Sequence, residues 1–277
     1  MPGLTIRALE KIDDWVEDSG APPELVEFYR RLLQTQIKAR RRAGIPRALL
    51  STETVAGRLE SGQPLLIFKE LELDWVQLRA TLKEIASVFA AYPELFQSAL
   101  PEPAGLFKGS LLKRTVQSWL EGNELPSAAV PEGVSQHLLG SILQAALWPF
   151  LVGYSQGLIK QVNQESWRRH YCPVCGGHPD IAFLEKEQGS RWLVCGRCDA
   201  EWLYQRMECP FCGNQEQSSL AYFTDDSGQY RLYVCEKCRK YLKVVDLRQT
   251  EERVIINLER LFTLSLDAQA RSQGYEC

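Results

Sequence analysis

The sequence predicts an α+β chain: an N-terminal all-α helical bundle, two tandem four-cysteine modules and a C-terminal helix. Three observations predict it. No cysteine precedes Cys172, and four Cys-x-x-Cys pairs then follow up to Cys238. The phrase Cys-Pro-x-Cys-Gly occurs at Cys172 and again at Cys209, each time followed by a second pair, at Cys195 and Cys198 and at Cys235 and Cys238. Apolar residues recur at helical spacing in the first part of the chain, whereas the segments inside each cysteine set alternate like strands.

Composition narrows the function classes. The chain has 277 residues, 45% hydrophobic and 24% charged, which suits a large plus a small globular domain. A net charge of −3 gives no global attraction to nucleic acid or anionic membranes. The opening MPGLTIRALEKIDDW shows no apolar signal-peptide core and no twin arginine, so a cytoplasmic location is expected. In a reducing cytosol, clustered cysteines bind metal or do redox chemistry more often than they form disulfides.

Taking the elements in order, Leu25, Tyr29, Leu32, Leu33 and Ile37 mark a helix over residues 23–43, opened by Pro22 and Pro23 and stopped by Gly44. Lys38, Arg40, Arg41 and Arg42 at its end read as a solvated cationic face at the negative pole of the helix dipole, with a docking patch for an acidic partner as the rival. A second helix is expected from Asp74 to Tyr92, capped by Asp74 with Gln77 and burying Leu78, Leu82, Ile85, Val88 and Phe89. A third runs from Ser110 to Gly122, burying Leu112, Thr115, Val116 and Trp119. A fourth and fifth fill residues 133–167 around Pro149. The stretch Val134–Ile159 lacks Asp, Glu, Lys and Arg, but its polar residues and Pro149 point to a buried helix or helix pair rather than membrane insertion.

The helical part contains no Gly-rich phosphate loop, no Gly-x-Ser-x-Gly elbow and no His-Glu-x-x-His. The three histidines, His137, His170 and His178, are few for acid–base or triad chemistry, and His137 reads as a core residue. No catalytic residue is assigned, and a non-enzymatic role is expected.

Chemistry concentrates in the cysteines. A Cys-x-x-Cys on a tight turn points two thiolates at one place, and two such turns face four sulfurs on one metal. Pro after the first cysteine stiffens the turn, and Gly after the second supplies the unusual φ; Gly196 after Cys195 continues the theme. The segments HPDIAFLEKEQGSRWLV and LAYFTDDSGQYRLYV suit hairpins turning at Gln188-Gly189 and Asp226-Ser227-Gly228. Arg191 stands four residues before Cys195, as Arg231 does before Cys235. Sequential pairing assigns Cys172, Cys175, Cys195 and Cys198 to one site and Cys209, Cys212, Cys235 and Cys238 to a second; a cross-braced pairing stays open. Four sulfurs accept zinc or a single rubredoxin-type iron, giving two metal ions per chain. A thioredoxin-like dithiol is the rival for any one pair. Cys277 reads as a solvated terminal thiol.

Ribbons of this type often bind nucleic acid, but Tyr171–Arg248 carries ten Lys or Arg against eleven Asp or Glu, which argues against a nucleic-acid partner. A nucleic-acid-binding zinc-ribbon protein, a rubredoxin-like electron carrier and a metal-dependent enzyme are the alternative classes. The segments CPVCGGHPDIAF, RWLVCGRCDAEWLYQRMECPFCGN and VCEKCRKYLKVVD resemble the formate dehydrogenase accessory protein family FdhE. Glu201-Trp202, Arg206, Tyr241-Leu242-Lys243 and the closing TLSLDAQARSQGY are similar to that family's positions. The resemblance implies rubredoxin-like or zinc-ribbon modules, iron as the favoured metal with zinc as the alternative, and a cytoplasmic assembly factor. Its partner is then the molybdenum- or tungsten-containing catalytic subunit of respiratory formate dehydrogenase, before twin-arginine export.

The expected domains are a helical part over residues 1–168, ribbons over 169–205 and 206–248, and a C-terminal helix and tail over 249–277. Residues beside the second knuckles, Arg197 and Asp199 and then Glu236 and Lys237, are candidate partner contacts, with Arg197 and Lys237 foremost. The sequence leaves a homo-oligomer open.

Overall fold

The computed structural model describes residues 10–13, 15, 21–44, 50–98, 100 and 110–276, so Cys277 lies outside the described residues. In chain order the elements are α1 (Pro23–Ala43), α2 (Thr52–Glu60), α3 (Trp75–Ala90), α4 (Pro93–Phe96), α5 (Ser110–Glu121) and α6 (Gln136–Leu158). Strands β1 (Pro179–Leu184), β2 (Arg191–Cys195), β3 (Glu201–Tyr204), β4 (Leu220–Thr224), β5 (Tyr230–Cys235) and β6 (Lys240–Asp246) follow, then α7 (Ile256–Phe262) and α8 (Leu264–Ser272). Two compact units divide the chain: Met1–Ala48 with Leu66–Tyr154, and Leu49–Leu65 with Ser155–Cys277.

The first unit is helical. Asp74 caps α3, its carboxylate accepting from the amides of Val76 and Gln77 at 3.0 Å each. Leu78, Leu82, Ile85, Val88 and Phe89 are buried along α3, and Leu112, Thr115 and Val116 along α5, while Trp119 is half-buried. On α1 the fully buried residues are Val26, Phe28 and Ala39, and the stripe read from Leu25 to Ile37 is only half-buried. Phe28 meets Phe89, Tyr92 and Phe96 edge-on at 5.0 to 5.8 Å. Of the cationic run, Arg42 pairs with Glu84 at 2.8 Å and Arg40 reaches Gly44 O.

Pro149 does not divide a helix pair; α6 runs through it as one helix. A proline removes one amide and leaves the carbonyl four residues earlier without its donor. Here that carbonyl is Ala145 O, and the side-chain amide of Gln36 on α1 donates to it at 3.0 Å. An unsatisfied buried carbonyl costs about 1–3 kcal/mol, so this bond explains why the helix continues. The apolar span Gln136–Gln161 is long enough to cross a membrane by composition, but 78% of its apolar window is buried inside the protein, as in a core helix. His137, read as a core residue, is exposed on the first turn of α6.

The second unit holds both cysteine modules. Each is a three-stranded antiparallel ribbon: β1–β2–β3 and β4–β5–β6. They are tandem in sequence yet join into one six-stranded sheet, ordered β3-β2-β1-β6-β5-β4, through a parallel pairing of β1 with β6 from Ile181 with Lys243 to Leu184 with Asp246. This unit begins well before residue 169. Residues 49–65 belong to it because Leu65 N donates to Pro173 O at 2.9 Å and Tyr171 OH to Gly62 O at 2.7 Å. The C-terminal segment folds as two short helices, α7 and α8. Lys243 on β6 donates to Asp267 on α8 (2.7 Å) and to Arg260 O on α7 (3.1 Å), and Tyr241 OH donates to Asp267 (2.7 Å). The buried ammonium and carboxylate are thus paired and hydrogen-bonded, which offsets their desolvation.

Candidate metal centre

The two entry knuckles are built alike. Cys172 N donates to Gly177 O at 2.8 Å and Gly176 N to Cys172 O at 3.0 Å; Cys209 N donates to Asn214 O at 2.8 Å and Gly213 N to Cys209 O at 3.0 Å. Gly176 and Gly213 take φ of 72° and 68°, the left-handed region where a Cβ is costly. The return knuckles manage without glycine there. Asp199 and Arg239 hold φ of 54° and 56° while their amides donate to Cys195 O and Cys235 O at 3.1 and 2.9 Å. Gly196 is therefore not the left-handed residue of its turn. Its need is space, since a Cβ there would meet Asp180 Cγ at 3.1 Å.

These turns aim eight sulfurs into two groups. Cys172 and Cys198 Sγ are 3.6 Å apart, Cys175 and Cys195 3.4 Å, Cys209 and Cys238 3.7 Å, and Cys212 and Cys235 3.8 Å. Within each group all four sulfurs lie within 4.8 Å of one another. Four sulfurs about 2.3 Å from a central ion form a tetrahedron with edges of about 3.8 Å. A disulfide would need about 2.05 Å. The spacing fits an ion in each group, so the two groups can hold two metal ions. The grouping is sequential, not cross-braced.

Electrostatics favour a cation in the first group. Burial pushes the Cys172 and Cys198 thiols well above their ordinary value, while thiol hydrogen bonds, that of Cys172 first, hold Cys175 well below it. Backbone amides add to the cradle: Val174 N and Arg197 N point at Cys172 and Cys195 Sγ at 3.3 and 3.4 Å. Four thiolates in so enclosed a place need a positive centre. In the second group burial likewise raises Cys209 and Cys238, and Asn214 Nδ2 approaches Cys235 Sγ at 3.9 Å.

The surroundings differ. Behind the first group, Arg260 of α7 clamps Asp180 through two bonds of 2.7 and 2.9 Å, and reaches Asp199 at 3.0 Å and Cys195 O at 3.1 Å. Burial works against the Arg260 charge, but Asp180 and Asp199 outweigh it and hold the guanidinium firmly protonated. The indole of Trp202, fully buried, donates to Arg169 O at 3.0 Å. The second group has Cys212 exposed and Cys238 half-buried. Beside it Arg239 pairs with Glu236, and Tyr275 OH also binds Glu236.

The candidate contacts separate on inspection. Lys237 and Glu236 are exposed, whereas Arg197 is half-buried over Gly177 and Asp199 is taken up by Arg260 and by Asn257 at 2.7 Å. Asp199 is thus a structural carboxylate rather than an offered contact. Arg260 and Asp180 carry the first site's support, yet nothing local in the sequence marks two residues so far apart as partners.

The domain described as FdhE, central domain, matches residues 171–206, the module that holds the first cysteine group. A protein FdhE homolog of Aquifex aeolicus is 36% identical over 155 residues, covering 54% of this chain and 54% of the relative. The chain is therefore similar to FdhE proteins. A second FdhE homolog, from Pseudomonas aeruginosa, is 34% identical over 161 residues, covering 54% of this chain and 48% of the relative. The chain spans about half the length of the curated FdhE relatives it matches. The crystal structure of the FdhE protein from Pseudomonas aeruginosa shares the fold, with a TM-score of 0.63 and 23% identity over 100% of this chain and 94% of that chain.

Proposed function

We propose that this chain is a cytoplasmic, non-enzymatic accessory factor for respiratory formate dehydrogenase that holds the catalytic subunit before its export. The observation that carries the reading is that the module matching the FdhE central domain is the one built around a closed group of four cysteines. Cys172, Cys175, Cys195 and Cys198 ligate one metal ion, and Cys209, Cys212, Cys235 and Cys238 a second. Iron is favoured and zinc is the alternative, since tetrahedral thiolate sites take either. Zinc would supply a fixed cross-link, and iron would add a one-electron couple.

The chain's own residues supply rigidity. The knuckle amides hold the sulfurs, Arg260 ties α7 to the first knuckles, and β1–β6 pairing couples the two ribbons. Arg197 and Lys237, each beside a second knuckle, contribute contacts to the partner. Charge reversal of both is expected to weaken capture of the catalytic subunit without loss of metal. A clean deletion strain tests the function: it should make the catalytic subunit but show little respiratory formate dehydrogenase activity, and normal activity there would contradict the reading. The exposure of Cys212 favours one second reading, a rubredoxin-like electron carrier. A reversible one-electron couple of the iron-loaded protein would support it.

A further inference from the structure

The two entry knuckles share a backbone but not a cover. Over the first, Pro64 packs on Gly176, where an added Cβ would lie 3.3 Å from Pro64 Cγ. Arg197 lies over the adjacent Gly177, where an added Cβ would come within 2.8 Å of Arg197 Cδ. Gly213 is the second group's counterpart of Gly176. Among the described residues, an added Cβ there would have only Glu208 Oε1 as a near neighbour, at 3.8 Å. Lys237, the counterpart of Arg197, is exposed. Of the described cysteines Cys212 alone is exposed, whereas its counterpart Cys175 is buried.

Proximity of sulfurs does not separate the groups. Cys175 and Cys195 Sγ stand 3.4 Å apart, and Cys212 and Cys235 Sγ 3.8 Å. Either pair would reach the disulfide length of about 2.05 Å by closing less than ~2 Å. Access for an oxidant is what differs. The thiolate, not the thiol, is the nucleophile, and a cysteine that ligates a metal is already deprotonated. Oxidant-sensitive cysteines combine thiolate character, exposure and a neighbouring sulfur that can resolve the first product. As an exposed metal ligand, Cys212 meets the first two conditions. Cys235, 2% exposed and out of reach of an oxidant itself, meets the third.

We propose that Cys212 is a site of oxidation by hydroperoxides, closing a Cys212–Cys235 disulfide that releases metal from the second group and leaves the first intact. The Cys212 thiolate attacks one peroxide oxygen, the O–O bond breaks, and hydroxide leaves as Cys212 becomes a sulfenic acid. The Cys235 thiolate then attacks the Cys212 sulfur. An S–S bond forms, and the S–O bond breaks with loss of a second hydroxide. Two thiolates thus lose two electrons, and the peroxide, with two protons from solvent, ends as two waters. No electron comes from zinc, which has no redox chemistry; the disulfide removes two of its four ligands, and the ion leaves as Zn²⁺. A reductant reverses the step. The inference rests on metal ligation by the second group, as proposed above, and not on the formate dehydrogenase partner.

The test uses the full chain, reduced and loaded with zinc, its zinc content measured before oxidation. Hydrogen peroxide is added beside a colorimetric chelator, and disulfides are located by peptide mass spectrometry without reduction. One equivalent of zinc is expected to leave at least about tenfold faster than the other, with one Cys212–Cys235 disulfide for each ion released. A phosphine reductant with added zinc should restore the loaded protein. Cys212→His keeps a zinc ligand, since three thiolates and an imidazole also hold zinc, and removes the exposed nucleophile. It should load two equivalents and slow the fast release about tenfold or more. Where it fails to load, the disulfide position in the unsubstituted chain decides alone. Equal release of the two equivalents, a disulfide at another pair, or a Cys212→His protein as sensitive as the unsubstituted one overturns the proposal. A chain that takes up only one zinc before oxidation overturns the metal reading of the second group as well.

Discussion

The two cysteine groups share their local geometry and differ in everything around it. Their entry knuckles repeat the same two backbone hydrogen bonds, at 2.8 and 3.0 Å in both, and their left-handed residues fall at equivalent places. Yet Cys172, Cys175, Cys195 and Cys198 are 0 to 5% exposed and backed by the Arg260 clamp, whereas the second group has Cys212 open to solvent. Duplication thus accounts for how the sulfurs converge, and the later chain accounts for how well each group is shielded. The first group acts as the structural centre of the sheet, and the second is the accessible one.

The largest expected effect comes from breaking the inner group. Metal ligation contributes roughly 10 kcal/mol to the folding of a small tetrathiolate module. Because the first group is fully buried and tied to α7 by Arg260, and β1 carries β6, Cys172→Ser should open both ribbons, read as loss of amide-exchange protection across β1, β2, β5 and β6. Cys212→Ser should leave protection in β1–β3. Equal loss from the two substitutions would erase the distinction.

Next in size is the clamp. Arg260→Ala leaves Asp180 and Asp199 without their shared cation and should lower stability by about 3 kcal/mol in chemical denaturation. Arg260→Lys should recover only part of it, because the bidentate fork to Asp180 is lost. Arg239→Ala, beside the outer group, removes a half-exposed pair with Glu236, a bond to Gln273 O at 2.7 Å and a stack on Tyr275, and with no buried carboxylate left unpaired it should shift the midpoint less.

These sites also show what the sequence made legible. The eight cysteines, the capped helix at Asp74 and both hairpin turns were readable because their signals are local: spacing, a cap residue, a turn glycine. Helix α2 went unread because a short helix burying only Val55 leaves almost no periodicity. Pro149 suggested a break because its compensating donor, Gln36, lies 109 residues away. Asp199 suggested an exposed contact because Arg260 is 61 residues away. The merging of two ribbons into one sheet depends on β1 meeting β6, a register no repeat within either module encodes.

The smallest effect sharpens the outer site. Asn214 Nδ2 donates to Ser219 Oγ at 2.6 Å and approaches Cys235 Sγ at 3.9 Å. Removing a group that supports a metal ligand typically loosens the metal about ten- to a hundredfold, and at 3.9 Å this contact is a weak case. Asn214→Ala should therefore speed metal loss from the second group severalfold, leaving the first unchanged in a stopped-flow chelation assay.

The most direct measurement of the inner-versus-outer account is stepwise metal release. The chain is loaded with two equivalents of zinc and challenged with a colorimetric chelator, while a thiol-alkylating reagent is added in pulses and located by peptide mass spectrometry. One equivalent should leave at least about tenfold faster than the other. The early pulses should label Cys209, Cys212, Cys235 and Cys238, Cys212 foremost, and spare the first group until the slow phase. Release of both equivalents in a single phase, or early labelling of Cys172, Cys175, Cys195 or Cys198, would contradict the account.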